Sequence, residues 1–535
     1  CLSAHYIHIK NYNCNLLKIL LKKIHLTYVM FRAILILKNI LEYAMGNNDL
    51  LYKSVIELKK LLSDKQVSAI ELTELALQRI NETNDKTNAF LYVSGDTAIE
   101  EAKNIDKKIA DGEDIGPLGG IPTSIKDLEP VKGMPHTNGS LFFKDNIADY
   151  DQLGVQRIKE AGGVILGKTN TPEFGLCGTT DNRLGDDCRN PWDLNCTSGG
   201  SSGGAGAAVA SGVHPLAQGS DGGGSIRMPS GLCGIYGIKG TQGRIPRKHT
   251  ALQSWNPVNF SCMGPMSWYV KDSAIMLQVM SGPHPDAEST AIQTAPPDFL
   301  SNIDNGIKGK KIGWSVDLGC INVDPEVRTA TEKAINVFEE LGAIVEPFNF
   351  EYNITELKES IFPINASQAY NKNGSLLDED SDKLMAYYKR ALLRGKDIQG
   401  AEYMNAESEL FKFRNYMESV FRKYDFISTP TMAVPAHECG NPPAEVDGVR
   451  QDPAPSSSYG DDNPSHKNGG GLLSQFTAIY NYSGNPAATL PCGFSSKGLP
   501  ISLQIAGAKE DEVGVLQASR AFEIVRPWHG KKPVV

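Results

Sequence analysis

The chain has 535 residues, enough to bury a large core as one big α/β domain or as two or three smaller ones. With 41% hydrophobic, 21% charged and 8% aromatic residues, its composition is that of a soluble globular protein. A formal net charge of -9 gives no electrostatic footprint for nucleic acid or an anionic membrane. The ten cysteines form no C-x-x-C pair, and in the body of the chain no histidine stands at ligand spacing from another histidine or cysteine. That pattern argues for reduced thiols in a cytoplasmic protein, against a disulfide framework and against a zinc site.

The first 44 residues differ in kind from the rest. They open on Cys1, lack glycine and proline, and contain an apolar stretch, Leu26 to Met45, that Arg32 and Lys38 interrupt. The interruptions make it a poor membrane span. Residues 1–45 are read as translated sequence upstream of a start at Met45, or as a disordered leader, and residues 46–535 as one domain.

Residues 50–115 read as helical: Ser68 and Glu71 make a capping box, and Leu72, Leu75, Ala76, Arg79 and Ile80 follow at helical spacing. Strand-like runs come next, Ile121 to Ile125 and Val164 to Leu166. From Lys310 to Pro347 the pattern is strand, helix, strand. Asp324 is the cap, Pro325 the first helical residue, and Gly342 the stop. A helix is expected over 401–423, leading into a strand from Tyr424 to Ser428, and a long aperiodic surface loop over 440–471. Alternation of this kind predicts an α/β fold with a mixed sheet.

Chemistry concentrates between Thr197 and Gly240, where two glycine–serine clusters flank a small-residue run, Ala205 to Gly212, suited to a buried helix. The window lacks a phosphate-loop lysine motif and dinucleotide glycine spacing, and its interleaved apolar residues argue against a flexible linker. Two readings survive: tight packing without chemistry, or a nucleophile with an oxyanion hole. For the second, the three glycines before Ser225 can turn unencumbered N–H groups toward a developing negative charge. The nearest histidine, His214, sits in a His-Pro turn where a structural role is expected, and there is no G-x-S-x-G elbow. A lysine can replace histidine as base if burial leaves it neutral. Lys126 fits, since it ends an apolar strand and is followed by Asp127, although a lone lysine at a strand end is ordinarily a surface charge.

Taken together, GIPTSIKD around Lys126, the GGSSGG cluster and GSDGGGSIRMPS resemble the amidase signature family. KTNTPEFG, CMGPMSWYVKD and FTAIYNYSGNPAATLPCGF extend the resemblance to about residues 50–525. It implies a single large domain with a central mixed sheet covered by helices on both faces. It also implies a catalytic set of Lys126, a bridging Ser201 preceded by a cis peptide, and the nucleophile Ser225. The oxyanion donors would be the N–H groups of Gly222, Gly223, Gly224 and Ser225. Asp221 and Arg227 would be a buried supporting pair, with Thr179 and Ser202 as further hydrogen-bond partners. The reaction would be amide hydrolysis through an acyl-enzyme, with no metal or organic cofactor. The expected partner is a small-molecule amide, with neither nucleic acid nor membrane, and a homodimer is allowed.

Within that family the rival reading is the glutaminase subunit of a tRNA-dependent amidotransferase. There the resemblance leads one to expect an acid just before Thr477, and this chain has Ser474. A lipid-amide hydrolase leans on the apolar N-terminal stretch, and a non-catalytic binding protein is disfavoured because all three catalytic positions are filled. Pocket walls are expected from 140–143, 176–177, 254–255 and the 440–471 loop, whose apolar residues favour a neutral or hydrophobic acyl group.

Overall fold

A computed structural model describes residues 50–248, 258–451 and 472–535. The proposed leader, the 254–255 wall and most of the 440–471 loop lie outside the described residues. The chain divides into two compact units, 1–51 and 52–535, and the second holds every described strand.

Eleven strands make one mixed sheet. In chain order they are β1 (Phe90–Val93), β2 (Pro122–Lys126), β3 (Val164–Thr169), β4 (Leu216–Asp221), β5 (Tyr236–Lys239), β6 (Cys262–Ser267), β7 (Lys311–Trp314), β8 (Ile344–Pro347), β9 (Phe426–Pro430), β10 (Ala487–Phe494) and β11 (Pro500–Gly507). Across the sheet the order is β1-β3-β2-β4-β6-β5-β10-β11-β9-β7-β8. The β3-β2-β4 and β9-β7-β8 runs are parallel, and the centre between them is antiparallel. In β2, β3, β4, β6, β9 and β11 every residue is buried. Since successive side chains point to opposite faces, both faces of the sheet are covered.

Local chemistry sets the element ends. Ser54 and Ser68 both complete capping boxes, with Glu57 and Glu71, at the helices Val55–Ser63 and Ala69–Thr87. Asp324 accepts from the Glu326 and Val327 N–H groups, and Pro325 opens the helix Pro325–Glu340. Expectation and structure part in two places. The 50–115 stretch contains the edge strand β1, and the 440–471 loop contains a small hairpin, Glu445–Val446 with Val449–Arg450. No described helix is long and apolar enough to cross a membrane.

The parallel pair β2 and β4 aims the ends of both strands, Lys126 and Asp221, toward one end of the sheet. Behind them packs the helix Gly203–Ala210, every residue of which is buried. Its closeness depends on glycine: a Cβ on Gly204 would overlap the Asn170 and Ala89 backbone. This tight seat delivers the preceding Ser201 and Ser202 to the end of β2.

Candidate active site

Lys126 is fully buried, and its Nζ lies 2.7 Å from Ser201 Oγ, 2.9 Å from Ser202 Oγ and 3.3 Å from the Ser220 carbonyl. Its backbone is fixed as well, the N–H donating to Gln218 Oε1 at 3.1 Å. Burial pulls the amine down from the ordinary lysine value to about 7, against the attraction of Glu129 and Asp221 and with some help from Arg247. A lysine in this state is a usable base near neutral pH.

The two serines differ in what they can still give. Ser202 Oγ donates to the Ser220 carbonyl at 3.0 Å and accepts from the Ser220 N–H at 3.2 Å and from Lys126. Its hydroxyl proton is committed. Among the described residues Ser201 Oγ bonds only to Lys126 Nζ, so its proton remains available. The Gly200–Ser201 peptide is cis.

Ser225 is tied to the serine pair through its backbone. It follows the loop Gly222 to Gly224 at the end of β4, is 6% exposed, and its carbonyl accepts from the Ser202 N–H at 3.2 Å. The loop hangs on Asp221. One carboxylate oxygen accepts from the Gly224 N–H at 2.7 Å and the other from the Ile226 N–H at 3.2 Å. The Asp221 side chain thus curls back over its own loop and takes the Gly224 N–H. Gly222 and Gly223 face more open space: among the described residues nothing lies within 4 Å of a Cβ built on Gly223.

Arg227 braces the assembly from behind. Nε and Nη2 donate to the two Asp221 oxygens at 3.0 and 2.9 Å, with both side chains fully buried. The remaining donors reach Thr477 O at 2.9 Å, Gln504 Oε1 at 2.6 Å and Asn481 Oδ1 at 2.7 Å. Burial alone would push the Asp221 carboxyl up; the guanidinium outweighs it and holds the carboxyl well below the usual range. Thr477 Oγ1 also donates to the Gly223 carbonyl at 2.7 Å.

Thr477, Asn481 and Gln504 did not emerge as site residues from the sequence. The first two lie within FTAIYNYSGNPAATLPCGF, and a lone glutamine in the apolar strand β11 was the third signal. Also unforeseen is the fully buried ion pair of Lys168 with Asp127, 2.8 Å apart, directly after Lys126. The Thr179 hydroxyl donates to Asp181 at 2.7 Å, and its backbone packs against Gly200. His214 is fully buried, its ring nitrogens meet no hydrogen-bond partner among the described residues, it is set edge-on to Phe90, and burial lowers it to about 3. It is a neutral core residue.

The amidase family model matches residues 71–516. An acylamidase of Rhodococcus erythropolis is 34% identical over 496 residues, covering 91% of this chain and 98% of that protein. A glutamyl-tRNA(Gln) amidotransferase subunit from Cyanothece sp. is 33% identical over 503 residues, covering 90% and 99%. The crystal structure of a bacterial aryl acylamidase superposes with a TM-score of 0.81 at 29% identity, over 90% of this chain and 99% of that one. Matched over nearly its whole described length, the chain belongs to the amidase signature family and is a hydrolase of amide C–N bonds.

Proposed function

We propose that the chain hydrolyses a linear carboxylic amide to acid and amine through an acyl-enzyme on Ser225, with Ser201 as relay and Lys126 as base. The observation that carries this reading is the buried Lys126 amine, held at about 7 and 2.7 Å from Ser201 Oγ. The neutral amine accepts the Ser201 proton, Ser201 accepts that of Ser225, and Ser225 Oγ bonds to the amide carbon. Carbonyl electrons move onto oxygen, where the Gly222, Gly223 and Ser225 N–H groups stabilise them. The proton then returns through Ser201 to the nitrogen, the C–N bond breaks, and the amine leaves. Water attacks the ester by the reverse relay and releases the acid. The catalytic domain in this reading is residues 46–535.

A second reading, glutamine hydrolysis within an amidotransferase complex, is favoured by the 33% identity to the Cyanothece amidotransferase subunit. Against it, the position where an acid is expected holds Ser474, whose Oγ accepts from Lys358 Nζ at 2.9 Å. A serine there brings no negative charge to a substrate ammonium group. Ammonia release from glutamine, set against hydrolysis of simple aliphatic and aryl amides by the chain alone, tests the choice. Turnover of the simple amides with little from glutamine is expected; the reverse order contradicts the proposal.

A further inference from the structure

A small apolar cluster, separate from the main core, borders Gly175, the residue that faces Ser201. It gathers Leu376, Leu384, Tyr387, Tyr388 and Leu392, with Phe143 and Phe174 only partly buried against it. The Phe174 ring tilts against Tyr388 at 4.3 Å between centroids and meets the edge of Phe143 at 5.9 Å. The next residue, Gly175, links this tier to the chemistry, since a Cβ there would stand 3.3 Å from Ser201 Oγ.

Three separate segments supply the rings, and one buried carboxylate ties them together. Glu173, 1% exposed, accepts from Ser140 Oγ and from the Met385 N–H, both at 2.6 Å, while its own N–H donates to the Tyr387 hydroxyl at 2.6 Å. Ser140 starts the turn Leu141–Phe143, and Met385 caps the helix Ala386–Asp397. Phe174 itself has φ 51°, a left-handed conformation that side-chain-bearing residues rarely adopt, and its N–H is pinned to the Asn138 carbonyl at 2.7 Å. An aromatic residue is thus held in an unfavourable backbone state beside the site.

We infer that Phe143 and Phe174, with the buried Tyr388 ring behind them, receive a planar aromatic group carried on the leaving nitrogen of the substrate, with Glu173 as the positioning residue that assembles them. The side is set by Ser201, which in the proposed relay protonates the departing nitrogen and is the serine this tier adjoins. The inference rests on the amide-hydrolysis reading. Offset or edge-on ring contacts are the geometry aromatic pairs prefer, and the part-exposed Phe143 and Phe174 rings can offer them.

The test compares acetanilide, acetamide and benzamide as substrates of the wild-type chain, Glu173→Gln and Phe143→Leu. The ratio of kcat/KM for acetanilide over acetamide is expected to fall about tenfold in each variant, chiefly through KM, with the benzamide-to-acetamide ratio little changed. Phe143→Leu keeps the site apolar, so it remains informative if Glu173→Gln folds poorly. Calorimetric binding of acetanilide to Ser225→Ala, with and without Glu173→Gln, gives a readout that needs no turnover. Weakened binding there with no hydrolysis by the wild type would leave the tier standing and refute the proposed reaction. Equal losses on all three amides, or a loss confined to benzamide, would overturn the inference.

Discussion

Replacing Glu129 by glutamine should move the pH dependence of the reaction in a direction set by two adjacent charges. Glu129 is buried, its carboxylate lies 2.9 Å from Arg247 Nη2, and it is the strongest of the groups that raise the Lys126 pKa. Glu129→Gln removes that attraction and leaves the Arg247 cation, which lowers Lys126, with only the weaker attraction of Glu288 to offset it. The two effects share a sign: both favour the neutral amine. With the wild-type amine at about 7, kcat/KM should rise through neutral pH and level off above it, since the base works only when deprotonated. At pH 6 about a tenth of the enzyme would then be active, given one decade of protonation per pH unit. A fall of about one unit in the Lys126 pKa, the lower end for a charge partner, is about 1.4 kcal/mol and raises the active fraction at pH 6 about fivefold. The assay is kcat/KM for a simple amide between pH 5 and pH 9, with the melting temperature followed to show that the variant is folded. An acid limb that stays in place, or moves to higher pH, would refute the reasoning.

Two further substitutions probe the scaffold. Arg227→Met leaves the buried Asp221 carboxylate without its ion pair and should cost about 3–5 kcal/mol of stability, read by denaturant unfolding, together with most of the activity because the glycine loop loses its brace. His214→Leu, by contrast, fills a buried site whose ring nitrogens make no hydrogen bond, so kcat/KM should stay within about threefold of wild type. A large loss there would return histidine to the list of candidate bases.

What could be read from the chain in advance was what is local. The Lys310–Pro347 unit was legible because a cap, a first-turn proline and a stopping glycine stand within one stretch of sequence. Lys126 was conspicuous because a charged residue ends an apolar strand. The strand Phe90–Val93 was not legible: it is four residues long, lies at the sheet edge between two helices, and its pairing partner is some 75 residues away in Val164–Thr169. Neither was the brace behind the glycine loop, because Arg227 meets Asn481 and Gln504 across separations of 254 and 277 residues. The bond from the Gly224 N–H to Asp221 also depends on a side-chain conformation. Three consecutive glycines look equivalent in sequence, and only the bend of Asp221 over the loop distinguishes them.

The central claim is that the acyl group passes through Ser225. Acid quenching during steady-state turnover of a slowly hydrolysed amide, followed by peptide mass mapping, reads this directly. The account predicts the substrate's acyl mass on the peptide carrying Ser225, and its absence together with all turnover in Ser225→Ala. Acylation of a different residue, or wild-type turnover by Ser225→Ala, would contradict it.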